Sequence, residues 1–446
     1  MLELAALACV LPLLLVVFLR LVPVLAGLLD FGGSRLVGFA WLLLILSTFV
    51  WRVRATDALV SNPLDAAAQI RVGLVALAGL LLLAYLLRAP RGQALPLAVK
   101  LLVAYVGVAA VAAVGSPLPL FAGYRVLELA VGTAAVGAAA IADPRKALEL
   151  MLACLGGILM LVWIEALTMP ERGWEPVHGV VGVALVGAMP SFSSNSLGAY
   201  GAIVGIWGIA QLDSTRYPRT VVRAAAVGGV VTLLATQYRT GLIGFLLGLT
   251  VVVWQRRRML VAFVVLGTAL LVLASGDWDV LRSRAQVVFA RGNPDSVASL
   301  DSRAVFWRAA LPAIEERPTL GWGLNVGSRR VLASLGLQDT STIHSTWFEA
   351  LLGTGIVGGA LLAFAYLALL ASALARTRGP DRSALLGMAI VLIVRSLTGT
   401  TVELFDVLFL LFGALALGGR LPTEAPVAVG LRAPRAAALD ERVVRA

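Results

Sequence analysis

Long apolar runs separated by short polar connections dominate the chain. A membrane-spanning α-helix needs about 20 mostly apolar residues, so the pattern predicts an all-α polytopic membrane protein with about twelve or thirteen transmembrane helices. The predicted spans lie near residues 2–29, 36–50, 72–87, 97–114, 126–141, 148–167, 197–212, 222–236, 241–254, 260–274, 346–373, 384–394 and 402–417.

One polar stretch is too long to be a plain connection and predicts a large external loop with helices of its own. The expected organisation is transmembrane helices over 1–274, this loop over 275–345, C-terminal transmembrane helices over 346–419 and a basic cytoplasmic tail over 420–446. Within the loop, an apolar face at helical spacing predicts a helix that starts at Asp301 or Ser302 and is kinked or shortened by Pro312. We expect it to lie along the membrane surface or over the mouth of the bundle. The segment 318–323 predicts a tight turn.

Composition and charge fit this class. Hydrophobic residues make up 60% of the chain and charged residues 14%, whereas soluble domains carry about 25% charged residues. This excludes an ordinary soluble enzyme. The net charge of +11 need not indicate nucleic acid, because basic residues collect in cytoplasmic loops of membrane proteins. The two cysteines, Cys9 and Cys154, lie in apolar runs, so we expect neither a disulfide nor a cysteine metal site.

The basic residues gather in every second connection, which predicts an orientation. The connections expected on the cytoplasmic side are 88–100, 143–146, 213–223, 255–259, 374–382 and the tail. The connections expected outside are 51–71, 115–125, 169–196, 237–240 and 275–345. The connection 51–71 carries basic residues as well, so the first two spans are the weakest part of this topology.

Candidate chemistry gathers near the predicted outer ends of the spans. His344 precedes a span, and an ordinary pKa near 6.5 would suit proton transfer at neutral pH; the alternative is a surface histidine. Thr346 and Glu349 have the spacing of a capping box, which favours a cap over a general base for Glu349. The only histidines are His178 and His344, and without carboxylates at ligand spacing we expect no metal site.

Two arginines stand out in apolar surroundings. Arg239 lies in the very short external corner 237–241, where its planar fork would suit phosphate oxygens; the alternative is a side chain that extends to the membrane interface. Arg395 faces Glu403 and Asp406 across a turn, which predicts an ion pair between two spans.

Four stretches together resemble the O-antigen ligase and O-antigen polymerase superfamily, membrane glycosyltransferases of the GT-C type. Each is weak alone, but their order, their spacing and the single large outer loop make the resemblance fairly specific over 195–358. They are Asn-Ser-Leu-Gly at 195–198, similar to the end of the family's Asn-Pro-Asn-x-Leu; Tyr-Arg-Thr-Gly at 238–241, similar to its Ser-Arg corner; Arg303 to Trp307 with 318–323, similar to its Arg…Trp…Pro-x-x-Gly-x-Gly; and His344 to Ile356, similar to its His-Asn…Glu…Gly-Ile segment.

The resemblance implies transfer of a glycan from a polyprenyl-diphosphate lipid to an acceptor hydroxyl outside the membrane, with no metal or other cofactor. The acceptor would be a glycan, a lipid or a protein. The other implied partners are membrane lipids, and no nucleic acid is expected. For the residues of this sequence, the resemblance implies that Arg239 binds the donor diphosphate and that His344 acts near the acceptor hydroxyl or the leaving pyrophosphate. It also implies that Arg303 shapes the site.

We also expect Tyr238, Asn195, Glu349 and His178 to contribute to donor or acceptor binding. The family's arginine before its Asn-Pro-Asn motif is absent from 183–194, and Arg172 or His178 is the candidate replacement. A polymerase of the same superfamily, a flippase or transporter of lipid-linked glycans, and a scaffold for envelope synthesis remain the alternatives to a ligase.

Overall fold

A computed structural model describes residues 26–49, 66–90, 94–177, 182–255, 303–337, 342–376 and 379–420, and helices make up most of this part. The helices are α1 (Arg35–Ser47), α2 (Ala66–Leu86), α3 (Leu97–Val114), α4 (Pro119–Ala142), α5 (Pro144–Thr168), α6 (Pro170–Gly173), α7 (Ser194–Ala210), α8 (Arg219–Ala235), α9 (Arg239–Gln255), α10 (Arg303–Glu316), α11 (Val326–Ser334), α12 (Thr346–Leu374), α13 (Pro380–Thr398) and α14 (Val407–Ala416). A short 3₁₀ helix, Leu417–Arg420, follows α14.

Two small antiparallel pairs stand between α6 and α7. The strand β1 (Trp174–Pro176) pairs with β2 (Val183–Leu185), and β3 (Gly187–Ala188) pairs with β4 (Ser191–Phe192). The carboxylate of Glu165, near the end of α5, accepts hydrogen bonds from the backbone N–H groups of Ala188 and Met189. These contacts attach the connection to the bundle immediately before α7 begins.

The prediction of an all-α polytopic membrane protein is confirmed. Among the described residues, five helices are long and apolar enough to cross a membrane, namely α2, α3, α4, α5 and α12, and three shorter helices, α1, α9 and α14, are apolar as well. Every predicted span coincides with a helix except 260–274 and most of 2–29, which lie outside the described residues. The tail beyond 420 and the first part of the predicted loop, up to 302, also lie outside them.

Small residues allow the closest helix contacts in the bundle. A Cβ atom added to Gly229 of α8 would lie 2.4 Å from the backbone nitrogen of Gly205 in α7. A Cβ atom added to Gly248 of α9 would lie 2.8 Å from the carbonyl oxygen of Gly387 in α13. Such close backbone approach is the main way in which membrane helices associate. Every residue of α14 is buried, which makes this helix the centre of the core.

Connections predicted to be cytoplasmic meet at one end of the bundle. The carboxylate of Asp381 forms ion pairs with Arg145, Arg216 and Arg376 at 3.2, 3.5 and 3.8 Å, and it accepts a 3.0 Å hydrogen bond from Gln211. These basic residues belong to three of the connections that the charge pattern assigns to the same side. The contacts therefore agree with their relative placement.

Two helices begin earlier than the apolar runs predict. Arg71 and Arg125, which were expected in external connections, lie in α2 and α4 instead. Both bind the buried carboxylate of Glu128, at 2.6 and 2.8 Å, and the hydroxyl of Tyr124 donates a third hydrogen bond at 2.9 Å. Pairing with this carboxylate allows the arginines to lie inside apolar helices.

The predicted loop helix and turn are both present. The helix α10 continues through Pro312 to Glu316, so this proline does not shorten it, and the kink stays a prediction. Asp301 and Ser302 lie outside the described residues. The helices α10 and α11 pack on the first half of α12 through an apolar cluster that includes Phe306, Trp322 and Leu352. The described part of the loop therefore covers the mouth of the bundle rather than extending away from it.

The turn after α10 forms backbone hydrogen bonds with α12 at a break in that helix. Gly355 has a φ of 64°, which interrupts the helical backbone. The backbone N–H of Trp322 donates to the carbonyl of Leu352 at 2.7 Å, and that of Ile356 donates to the carbonyl of Pro318 at 2.8 Å. The turn thus satisfies backbone groups that the break exposes, as buried polar groups require. It also fixes the start of α12.

Candidate functional site

The helices α7, α9 and α12 begin at the end of the bundle opposite Asp381, and the motif residues lie at these beginnings. Asn195 is the second residue of α7, Arg239 opens α9, and His344 lies just before α12. The end of α13 connects them. The Thr346 backbone N–H donates to the carbonyl of Gly399 at 3.0 Å, and the hydroxyl of Thr398 donates to that of Thr240 at 3.0 Å.

Arg395 of α13 lies at the centre of this arrangement. Its Nη1 atom donates to the hydroxyl of Tyr238 at 2.9 Å and to the carbonyl of Asn195 at 3.2 Å. The predicted ion pair with Glu403 and Asp406 is wrong, because no carboxylate of the described residues lies within ion-pair distance of Arg395. Backbone N–H groups bind those carboxylates instead, those of Thr401 and Val402 for Glu403 and that of Phe409 for Asp406.

The ring of Tyr238 explains why two of the motifs end in glycine. A Cβ atom at Gly198 would lie 2.4 Å from the Tyr238 Cβ, and one at Gly241 would lie 2.2 Å from its Cδ1. Both motifs therefore need a residue without a side chain where this buried ring packs between them. The tyrosine, expected to contribute to donor or acceptor binding, is only 4% exposed, and its hydroxyl accepts a hydrogen bond from Arg395.

Arg239 follows Tyr238 directly and is the half-buried first residue of α9. Gln237, the residue before Tyr238, has a φ of 50°, a conformation that few non-glycine residues adopt. Its side-chain amide donates to the carbonyl of Val183 in β2. The corner that carries Arg239 is thus held from both sides, by β2 and by Arg395 through Tyr238.

His344 is half-buried under the loop helix and has a φ of 55°. Its ring faces that of Phe306 at 6.4 Å, and its Nδ1 lies 3.4 Å from the hydroxyl oxygen of Thr342. The indole N–H of Trp307 donates to the carbonyl of Ile343 at 3.1 Å. Backbone strain at His344 is therefore maintained by α10, which is the kind of arrangement in which strained residues occur at functional sites.

The expectation of an ordinary pKa for His344 is wrong. Burial, and to a smaller extent the positive charges of Arg303 and Arg395, lower the pKa of the imidazole to about 4. The ring is therefore neutral at pH 7 and can accept a proton. Arg303, the first residue of α10, is near enough for its charge to act on His344.

Glu349 supports the segment that carries His344. It is 3% exposed, and its carboxylate accepts hydrogen bonds from the backbone N–H of Ile343 and from the hydroxyl of Ser328, both at 2.7 Å. The predicted capping box is wrong, because the N-cap of α12 is Ser345 and the hydroxyl of Thr346 donates to the carbonyl of Gly399. Glu349 therefore connects α12 to α11 and to the residue before His344.

The structure brings together most of the predicted site residues. The contacts above link Asn195, Tyr238, Arg303 and His344, and they include Glu349 as a support. Arg239 adjoins Tyr238. His178 lies outside the described residues, and Arg172 is an exposed residue of α6. The described residues contain no group of three or more His, Cys, Asp or Glu side chains that could hold a metal ion.

The sequence does not predict that Arg395 binds Tyr238 and Asn195. It does mark Arg395 as a candidate functional residue, since an arginine in an apolar helix is costly and rarely without function. The partner was misjudged because the nearby carboxylates are close in sequence, whereas Tyr238 and Asn195 are 157 and 200 residues away. Nothing in the sequence alone indicates this pairing.

The electrostatics of this end favour an anion. The beginning of a helix carries a partial positive charge of about half a unit, and α7, α9 and α12 all begin here. Arg239, Arg303 and Arg395 add three full positive charges to the same region. Arginine, with its planar fork, is well suited to phosphate oxygens.

Comparison with known proteins supports the resemblance noted in the sequence. No curated protein matches the chain. A family model described as O-antigen ligase matches residues 224–363, a range that includes the Tyr238 corner, the outer loop and the His344 segment. Residues 224–363 of this chain are therefore similar to the O-antigen ligase family.

Proposed function

We propose that the protein is an O-antigen ligase-like glycosyltransferase that moves a glycan from a polyprenyl-diphosphate lipid to an acceptor hydroxyl. The superfamily implies a glycosyltransferase-like ligase or polymerase that acts on lipid-linked glycans in a membrane. The specific donor, and catalysis without a metal, are part of this proposal. The observation that carries it is the meeting of three helix beginnings and three arginines beside a neutral histidine.

In the proposed reaction, the acceptor oxygen bonds to the anomeric carbon of the glycan while the bond from that carbon to the diphosphate oxygen breaks. The electron pair of the broken bond leaves with the lipid diphosphate. Arg239 binds the diphosphate and stabilises the negative charge that develops on it. The proton of the acceptor hydroxyl passes to a ring nitrogen of His344, and Arg303 shapes the pocket between the loop and the bundle.

Asn195 and Tyr238 contribute indirectly to donor binding in this proposal. The carbonyl of Asn195 and the hydroxyl of Tyr238 both accept hydrogen bonds from Arg395, so they hold the corner that presents Arg239. Glu349 supports the acceptor side in the same way, through the backbone next to His344. His178 remains a proposed contributor to binding on the basis of the resemblance alone.

The proposed location is the bacterial inner membrane, with the site facing the periplasm. It rests on the charge pattern and on the position of the site at the end opposite the arginines around Asp381. Single cysteines at Ser299 and Arg257 test it by labelling in intact spheroplasts. We expect the impermeant reagent to label position 299 and not 257; the reverse pattern would overturn the orientation.

The activity test uses the purified protein in liposomes with a polyprenyl-diphosphate oligosaccharide. The acceptors are a lipid A core, a second lipid-linked glycan and a protein, each assayed with and without EDTA. We expect a lengthened product with one of them and no effect of EDTA. Growth of the lipid-linked glycan alone would identify a polymerase, and the absence of product with every acceptor would overturn the proposal.

Variants test the proposed roles of the two main residues. His344→Gln should reduce transfer by roughly 10²–10⁴-fold, the usual contribution of acid–base help, because glutamine cannot exchange a proton near neutral pH. Arg239→Lys should lose most of the activity, because lysine lacks the two-pronged geometry. The matched control is Arg219→Lys, at the exposed start of α8. Normal transfer by either site variant would remove the role assigned to that residue.

A further inference from the structure

Arg395 is a buried cation without a counter-charge among the described residues. It is 8% exposed, and its Nε atom is buried with no hydrogen-bond partner. Other arginines of the bundle differ in this respect, since Arg376 pairs with Asp381, and Arg71 and Arg125 pair with Glu128. The two groups that Arg395 binds, the Tyr238 hydroxyl and the Asn195 carbonyl, are both uncharged.

A buried charge of this kind needs an explanation. Moving an ion out of water costs several kcal/mol unless a charge of opposite sign or a full set of hydrogen bonds compensates for it. The carboxylate whose charge acts on Arg395 is that of Asp406, but it lies beyond ion-pair distance and caps α14. The missing negative charge is therefore expected from outside the described chain.

The position of Arg395 indicates which anion this would be. It binds Tyr238, the residue next to Arg239, and its guanidinium lies against Gly399, whose carbonyl binds the start of α12. An anion bound at Arg239 would lie close to this second positive charge. A monophosphate would engage one cation fully, whereas a diphosphate carries enough charge and enough oxygen atoms for two.

On the basis of the proposed function, we infer that Arg395 makes the donor site selective for a polyprenyl diphosphate over a polyprenyl monophosphate. It acts as a positioning residue, because it holds the Tyr238–Arg239 corner through the tyrosine hydroxyl. It also supplies a second positive charge near Arg239, which the second phosphate compensates.

The test compares farnesyl diphosphate with farnesyl monophosphate as probes, by thermal shift and by inhibition of glycan transfer. Arg395→Met should weaken binding of the diphosphate at least 10-fold and change binding of the monophosphate less than 3-fold, so the wild-type preference disappears. Arg395→Lys, which keeps the charge, should retain part of the preference. Tyr238→Phe keeps both arginines and should reduce transfer while preserving the preference.

The matched control is Arg376→Met, which removes a partly buried arginine with an ion pair at the other end of the bundle. We expect it to lower the unfolding temperature of the ligand-free protein and to leave the preference unchanged. If Arg395→Met or Arg395→Lys prefers the diphosphate over the monophosphate as strongly as the wild type does, the inference is overturned. It is also overturned if Arg395→Met weakens binding of both probes equally, which would make Arg395 a purely structural link. If the wild type neither binds the diphosphate nor transfers glycan, the proposed function itself fails.

Discussion

Removal of the Glu349 carboxylate should reduce glycan transfer, although this carboxylate acts only through the backbone next to His344. The carboxylate accepts the backbone N–H of Ile343 and the hydroxyl of Ser328, both at 2.7 Å. Ile343 is fully buried, so water cannot replace the lost acceptor. Glu349→Ala therefore leaves a buried N–H unsatisfied in the residue next to His344, and it disconnects α11 from α12. Glu349→Gln keeps an acceptor for the N–H and a group of the same size.

The expected losses of stability and of glycan transfer follow from these two hydrogen bonds. An unsatisfied buried donor costs about 1–3 kcal/mol, and the second hydrogen bond contributes a similar amount. We therefore expect Glu349→Ala to lose about 3–5 kcal/mol of stability, including the cavity that it leaves. A displacement of His344 by about 1 Å would reduce transfer roughly 10²-fold. Glu349→Gln should stay within about 1 kcal/mol and several-fold of the wild type, as expected for a residue that positions the backbone.

The assay measures glycan transfer and thermal unfolding of the same purified samples. Glu316→Gln is the control, because Glu316 is an exposed carboxylate of α10 that pairs with Arg330. It should change neither quantity appreciably. If Glu349→Gln folds like the wild type but is as inactive as Glu349→Ala, the charge or the proton of Glu349 takes part in the chemistry. The positioning role would then be refuted.

Three further predictions concern the turn, the opposite end of the bundle and pH. Gly321→Ala should destabilise the protein by more than Gly336→Ala in thermal unfolding; both glycines have positive φ, but only a Cβ at Gly321 would meet a carbonyl oxygen, at 2.5 Å. Asp381→Asn should cost about 1–3 kcal/mol in the same assay, because three partly buried arginines lose their carboxylate. The lowered pKa of His344 means that the unfolded chain binds a proton near pH 6.5 and the folded chain only near 4. Its contribution to stability is therefore complete above pH 6.5 and is lost as the pH falls towards 4, and the slope of stability against pH should be shallower in His344→Gln.

The sequence predicted the elements better than their contacts. Apolar run length is a local property, so α3 was predicted with the bounds that the structure has, 97–114. The break in α12 was missed because the sequence stays apolar through Gly355, and the turn that repairs it lies more than thirty residues earlier. Two helix starts are predicted too late because a charged residue lies within the first two turns of each helix, Arg71 in α2 and Arg125 in α4. Both arginines pair with Glu128, and the apolar pattern gives no sign of that pairing.

For the site as well, the sequence predicts individual residues better than their contacts. The residue types and the short corner indicated Arg239 and His344, because an arginine or a histidine at the mouth of apolar spans is conspicuous. Their surroundings depend on contacts between elements far apart in the chain. The link from Arg395 to Tyr238, the hold of Glu349 on Ile343 and the lowered pKa of His344 all arise only when α10, α12 and α13 are packed together.

The lowered pKa also connects the two substrates of the proposed reaction. In the unloaded site, burial and the charges of Arg303 and Arg395 keep His344 a weak base. A diphosphate bound at Arg239 would offset those charges. If one of its negative charges lay about 5 Å from the imidazole, at an effective dielectric constant of about 20, it would contribute about 3 kcal/mol, or about two pKa units. The imidazole would then become basic enough to accept the acceptor's proton only after the donor has bound, so a site without donor would have little power to activate a hydroxyl group.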